Sequence, residues 1–249
     1  MSLFLLRKKR EKILLAYKYK TKPYEHQKDA LEKSWSDIEH ALFLEMGCGK
    51  SKILIDNIAI LYNQGKIDSA LIVAPKGVYD NWVSGEFPLH LPDYIESKVI
   101  KWSPSETKGN KELRESALEH SKDLIILVMN VEAFSTVKGA KFAGKFLLSK
   151  RALFAIDEST TIKSPSAKRT KNIVRLSKYA EYRRILTGSP VTRSPLDLYT
   201  QCEFLDPELL GFTSFYSFRA RYAEMINRSA GGRTFKQVVG YKNLDELTK

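Results

Sequence analysis

The sequence predicts an α/β fold, a doubly wound and mainly parallel sheet with helices on both faces. Two observations carry that expectation. Short runs of aliphatic and β-branched residues recur along the chain, and most are continuous rather than alternating, which is the pattern of strands buried on both faces. Segments of helical character separate them at the spacing of β–α units.

The strand runs are 41–44, 70–74, 124–129 and 153–156, with a shorter fifth at 184–186. Between them, residues 51–62 carry apolar side chains on a helical period. Residues 78–87 put Trp82 and Phe87 on one face, and 111–120 is charged and helix-favouring. Helices at 133–148 and 167–179 follow the later strands. Beyond Pro207 the pattern changes. Residues 212–225 read as an aromatic-rich helix, 229–233 as a Gly-containing loop, and 234–241 as a hairpin strand. The expected organisation is a basic extension over 1–20, one lobe over 21–211, and a helical and hairpin extension over 212–249.

With 249 residues the chain has ample length for a large core. Forty-one Lys and Arg stand against 29 Asp and Glu, a formal net charge of +12. Such an excess favours a polyanionic partner, with nucleic acid the commonest, over a merely solubilising surface. The two cysteines, Cys48 and Cys202, give no disulfide framework and no zinc spacing, so a reducing cytoplasm is the expected setting. No apolar run approaches the length of a membrane span, and no membrane partner is expected. The four histidines show no metal-ligand spacing.

The strongest local signal is Glu45-Met46-Gly47-Cys48-Gly49-Lys50-Ser51, which follows a buried run and opens a helix. Glycines there let several backbone N–H groups turn toward phosphate oxygens, and the helix N-terminus adds favourable potential for an anion. Met46, Gly47, Cys48, Gly49, Lys50 and Ser51 are the expected nucleotide-binding residues. Lys50 would reach the β- and γ-phosphates of ATP, and Ser51 would hold Mg²⁺. Leu44 stands where the motif favours a small residue. The matching acidic element is Asp157-Glu158, two carboxylates ending an apolar run where charges at the edge of a core need a reason. Asp157 would bind Mg²⁺ and Glu158 would orient the attacking water.

With these motifs in place, the sequence resembles superfamily II helicases and specifically the SWI/SNF-type DNA translocases, over residues 22 to the end. Lys22-Pro23-Tyr24-Glu25-His26-Gln27 resembles the family's adenine-recognition segment, with Gln27 as its glutamine. Leu71-Ile72-Val73-Ala74-Pro75, followed by Asn81-Trp82 and Glu86-Phe87, is similar to the next motif. Val128-Met129-Asn130-Val131-Glu132 has its counterpart too. Asp157-Glu158-Ser159-Thr160 with Ile162-Lys163 resembles the acidic motif and its tail. Leu186-Thr187-Gly188-Ser189-Pro190 resembles the segment that couples nucleotide state to nucleic-acid grip. Phe204-Leu205-Asp206-Pro207 and Asn243-Leu244-Asp245-Glu246-Leu247 match the end of the family's first lobe.

The resemblance implies a RecA-like P-loop NTPase lobe that binds ATP and Mg²⁺, contacts duplex DNA, and works against a second RecA-like lobe. It implies catalytic roles for Lys50, Asp157 and Glu158, and coupling roles for Thr160, Thr187 and Ser189. Pro75, Lys76, Asn130 and Lys163 fall on its nucleic-acid-facing positions. Ser159-Thr160 replaces the family's Ala-His, so Thr160 is expected to bond across to Thr187 or Ser189. The second lobe's arginines have no counterpart after Leu247, so slow ATP turnover by this chain alone is expected. Trp82 is expected to be a core residue on a helix face rather than a base-stacking platform. An RNA helicase lobe and a non-catalytic nucleic-acid-binding module remain the alternatives.

Overall fold

The computed structural model describes residues 12–248. The basic run at 7–10 lies outside the described residues. The main sheet has six strands: β1 (Glu39–Phe43), β2 (Ser69–Ala74), β3 (Ser97–Lys101), β4 (Leu124–Asn130), β5 (Ala152–Asp157) and β6 (Tyr182–Thr187). All pairings are parallel, in the order β1-β6-β5-β2-β4-β3. The helices are α1 (Glu25–Ser34), α2 (Lys50–Asn63), α3, α4 (Lys108–Leu118), α5 (Val137–Ser149), α6 (Lys168–Ser177) and α7 (Leu198–Leu205). Helix α3 is built from Tyr79–Asn81, Trp82–Glu86 and Phe87–His90, and its middle piece has the wider π geometry.

The continuous apolar strands explain why both faces are covered. Along β2, Ala70, Ile72 and Ala74 enter one core with Leu31 of α1, Ile53 of α2 and Phe87 of α3. Leu71 and Val73 point the other way, into a second core with Ala117 of α4, Phe146 of α5, Ile173 of α6 and Phe204 of α7. Strands β4 and β5 divide their residues between the two cores in the same alternation. The doubly wound arrangement expected from the sequence is the observed one.

Several elements differ from the sequence reading. Strand β3 carries no clear sequence signal because it is short and two of its five residues are lysines, as suits an edge strand. The expected helix at 133–148 is broken at Thr136, whose hydroxyl accepts the Gly139 N–H at 3.0 Å and caps α5 after a 3₁₀ turn at Val131–Ser135. The expected helix 212–225 is shorter, α8 (Phe215–Tyr222), because Ala223 already begins strand β7 (Ala223–Ala230). That strand pairs antiparallel with β8 (Arg233–Tyr241), so the expected loop shrinks to Gly231 and Gly232, both at positive φ.

Arg184 of β6 fastens the sheet to α1 and α2. It is fully buried; its Nε donates to Asn57 Oδ1 and its terminal nitrogens to the carbonyls of Ser34, Asp37, Ile38 and Arg183. Burial pushes its guanidinium down to about 10. Tyr17 also enters the core, donating at 2.8 Å to Asp56 of α2, whose other oxygen accepts from Lys52 at 2.7 Å. The described part of the expected extension is thus packed on the lobe. Among the described residues no helix is long and apolar enough to cross a membrane.

Candidate nucleotide site at the strand ends

Parallel pairing brings the carboxyl ends of the strands to one edge. Phe43 of β1 is level with Thr187 of β6, Asp157 of β5 with Leu186, and Ala74 of β2 with Asn130 of β4. The phosphate loop after β1, the acidic pair after β5 and the Thr187 segment after β6 therefore share one crevice, where an open α/β sheet presents its ligands. Glycine 188 touches the loop: a Cβ there would lie 3.5 Å from Met46 N and 3.6 Å from Leu44 O.

The loop is held from outside. Gly47 and Gly49 both have positive φ, and Gly49 stands directly before α2. Gln27 is buried, and its Nε2 donates to Cys48 O at 3.2 Å while its Oε1 accepts from Tyr24 N at 3.1 Å. The His26 ring bonds the same Cys48 carbonyl at 3.0 Å. Any side chain at Gly49 would meet Gln27 Nε2 at 2.2 Å. Gln27 thus sits on the phosphate loop, with its amide engaged to the loop and to its own helix cap. Lys50 opens α2, and its Nζ donates to Leu44 O at 3.0 Å and Glu45 O at 3.1 Å. Ser51 follows in the first turn of α2, and Met46 lies exposed on the loop.

The carboxylate of Asp157 is fixed by two donors. Trp82 Nε1 donates to its Oδ2 at 2.9 Å and Glu158 N to its Oδ1 at 3.0 Å. Burial pushes Asp157 above the ordinary carboxylate range, and the Trp82 hydrogen bond pulls the other way. Both oxygens keep a lone pair, and hard oxygen donors of this kind suit Mg²⁺. Glu158 has φ +49, a left-handed conformation uncommon outside glycine, Asn and Asp, and one concentrated at functional sites.

The link from the acidic pair to the Thr187 segment is made by Glu158. Thr187 Oγ1 donates to Glu158 Oε2 at 3.3 Å and accepts the Ser189 N–H at 3.2 Å. The expected bond from Thr160 to Thr187 or Ser189 is not found among the described residues. Thr160 lies in a 3₁₀ turn (Ser159–Ile162), and the left-handed Glu158 before it brings the carboxylate to β6 instead.

The four residues expected to face nucleic acid fall into two groups. Pro75 follows the end of β2 and Asn130 ends the neighbouring β4, with Lys76 exposed beside them. The Pro75 carbonyl accepts the N–H groups of Val78 and Tyr79 and so starts α3, while Asn130 Oδ1 caps Ala133 N at 2.8 Å. Lys163 stands apart. It donates to Thr192 Oγ1 and lies 3.7 Å from Asp197, which also accepts from Thr192 and Arg193. Burial raises Asp197, but the N–H and hydroxyl donors prevail and hold it below the carboxylate range. The sequence predicts Trp82 only as a core residue and gives His26 no ligand spacing; in the fold they bond Asp157 and the Cys48 carbonyl. A tryptophan on an apolar helix face signals packing, and only its spatial meeting with Asp157 shows more.

Comparison with known proteins agrees with this geometry. A family model described as the SNF2-related domain matches residues 26–249. The chain is 30% identical over 213 residues to the DNA repair and recombination protein RAD54B of Gallus gallus, covering 82% of this chain and 21% of that protein. It is 30% identical over 197 residues to the chromatin-remodeling ATPase INO80 of Eremothecium gossypii, covering 76% of this chain and 13% of that protein. The chain therefore spans about a fifth or less of these two relatives. In fold it is similar to the Sulfolobus solfataricus SWI2/SNF2 ATPase core in complex with double-stranded DNA, with TM-score 0.63 and 22% identity, covering 83% of this chain and 40% of that one. Taken with the six-stranded parallel sheet and its strand-end motifs, the match over residues 26–249 means that this chain belongs to the SNF2-related family and is its N-terminal, RecA-like ATPase lobe.

Proposed function

We propose that this lobe binds ATP with Mg²⁺ in the crevice at the ends of β1, β5 and β6, and grips duplex DNA along the ends of β2 and β4. The observation that carries the reading is the convergence of Lys50, the Asp157–Glu158 pair and Thr187 on one sheet edge, with Glu158 and Thr187 hydrogen-bonded. Lys50 leaves its two carbonyls to pair with the β- and γ-phosphates, beside the loop turned by Gly47 and Gly49 and at the N-terminus of α2. Gln27 reads the adenine edge once its amide exchanges Cys48 O and Tyr24 N for the base. Ser51 and Asp157 hold the metal, and Glu158 orients the water. A Mg²⁺ held by Ser51 and Asp157 would supply charge neutralisation for the phosphates.

Thr187 reports the position of Glu158 to Ser189, with Thr160 on the adjoining turn as a further coupling position. Pro75, Lys76 and Asn130, with Lys163 on the far side, contact the DNA backbone without reading sequence. The basic excess of the chain and the DNA bound by the Sulfolobus core support duplex DNA as the polyanion. A second RecA-like lobe, supplying arginines to the γ-phosphate, completes turnover in this reading, as the sequence resemblance implies.

The test is a titration of labelled duplex DNA and duplex RNA with the full chain across salt concentration. The reading predicts tighter binding to DNA, a linear fall of log affinity with log salt, and no loss of DNA affinity in Lys50→Ala. A preference for duplex RNA would favour an RNA helicase lobe instead.

A further inference from the structure

Three tryptophans occur in the chain, and their indole N–H groups meet different fates. Those of Trp35 and Trp102 are buried without a hydrogen-bond partner among the described residues. That of Trp82 donates to Asp157 Oδ2 at 2.9 Å, across 75 residues of sequence. Trp82 is 2% exposed and packs on Phe87, with ring centroids 5.6 Å apart, so its ring has little freedom to leave the carboxylate. It also opens the π-helical stretch Trp82–Glu86. Such a stretch carries an extra residue per turn at some cost in hydrogen bonding, and π-bulges recur at functional sites. The neighbouring side chains fit that turn closely: Asn81 Nδ2 donates to Glu86 Oε1 at 3.0 Å, and a Cβ on Gly85 would meet Asn81 Oδ1 at 2.5 Å.

We propose that Trp82 is a positioning residue for the metal site, its indole N–H holding the Asp157 carboxylate in the orientation that receives Mg²⁺. The inference rests on the reading of Asp157 as a metal ligand. Without Trp82 the carboxylate keeps only the N–H of Glu158, its own neighbour in the chain, and turns about its χ angles. The indole donor is independent of β5, because α3 is rooted at the Pro75 carbonyl at the end of β2. Asp157 is therefore fixed between two strands of the sheet, and α3 joins the nucleic-acid segment to the metal ligand directly.

The experiment measures binding of a fluorescent ATP analogue to the full chain, with Mg²⁺ titrated at fixed nucleotide. Trp82→Phe keeps an aromatic ring and removes the donor. The account predicts that this variant needs about tenfold more Mg²⁺ to reach half-saturation, since hydrogen bonds to charged groups are the strong ones, while metal-free nucleotide affinity is unchanged. A merely structural role predicts weakened binding with and without metal alike, or no change, and either result overturns the inference. Asp157→Asn is the control. If it leaves the Mg²⁺ dependence intact, the reading of the site fails and the inference falls with it. If it shifts the dependence while Trp82→Phe does not, the inference alone fails. Should the Phe variant not fold, the wild-type indole ¹H–¹⁵N resonances decide. The Trp82 signal moves on adding Mg²⁺ with ADP and those of Trp35 and Trp102 do not; a stationary Trp82 signal contradicts the proposal.

Discussion

Glu158 and Thr187 meet across neighbouring strands, with the threonine hydroxyl 3.3 Å from a carboxylate oxygen at the very ends of β5 and β6. The same hydroxyl receives the Ser189 N–H, so a movement of Glu158 is felt by the segment beyond β6. Thr187→Val keeps the shape and removes both bonds. ATP affinity is expected to stay within about twofold, because no phosphate-binding group changes. ATP turnover measured with duplex DNA is expected to fall about tenfold, less than the ~10²–10⁴ that a general base itself contributes, because Thr187 only steadies Glu158. Loss of ATP affinity instead would place Thr187 in the binding site itself.

A second prediction concerns the N-terminal segment. Tyr17 donates to Asp56, a buried carboxylate that also holds Lys52, one residue past Ser51. Tyr17→Phe removes one donor from a charged buried acceptor, at a cost of about 2 kcal/mol. For a domain of this size that is about 4–8 °C in Tm. Thermal unfolding checks it, and an unchanged Tm would mean that residues 12–20 are an appendage and not part of the lobe.

A third prediction is a pH dependence. Burial, helped by the Arg184 charge, holds His40 below its ordinary value of 6.5 against the pull of Asp37. Burial, helped by Lys52, holds His90 below 6.5 as well. The unfolded chain therefore takes up these protons first as pH falls. Their contribution to stability is complete above about pH 6.5 and is lost as pH drops through the depressed folded values. Tm should decline with acidification just below pH 6.5, and the His40→Asn/His90→Asn double variant should flatten that decline. A decline of equal slope in the double variant would assign it to other groups.

The sequence carried the sheet, and the motifs that the fold gathers at its strand ends, for a physical reason. Strands buried on both faces must be continuously apolar, so β2, β4 and β5 stand out, and a phosphate loop needs glycines at fixed places beside a lysine. What it did not carry depends on contacts between distant residues. Edge strand β3, with Ser97, Lys98 and Lys101 among its five residues, has no buried stripe to betray it. Helix α8 gives way to β7 at Ala223 because Met225 to Ser229 pair with residues 234–238, a partnership invisible locally. The roles of Trp82 toward Asp157 and of Glu158 toward Thr187 required the strand order that brings β2, β5 and β6 side by side. Lys163 falls in the sequence on a nucleic-acid-facing position; in the fold it is tied to Thr192 and Asp197.

The most direct test of the central claim is an equilibrium titration of the full chain with ATP in the presence of Mg²⁺, alongside Lys50→Ala. Lys50 is bound to the carbonyls of Leu44 and Glu45 and has to exchange them for phosphate. The account predicts saturable binding at one site, weakened about 100-fold or more in the variant, as befits the loss of a charge-assisted contact to a polyanion. Absence of saturable binding, or equal binding by Lys50→Ala, would contradict the assignment of this crevice as an ATP site.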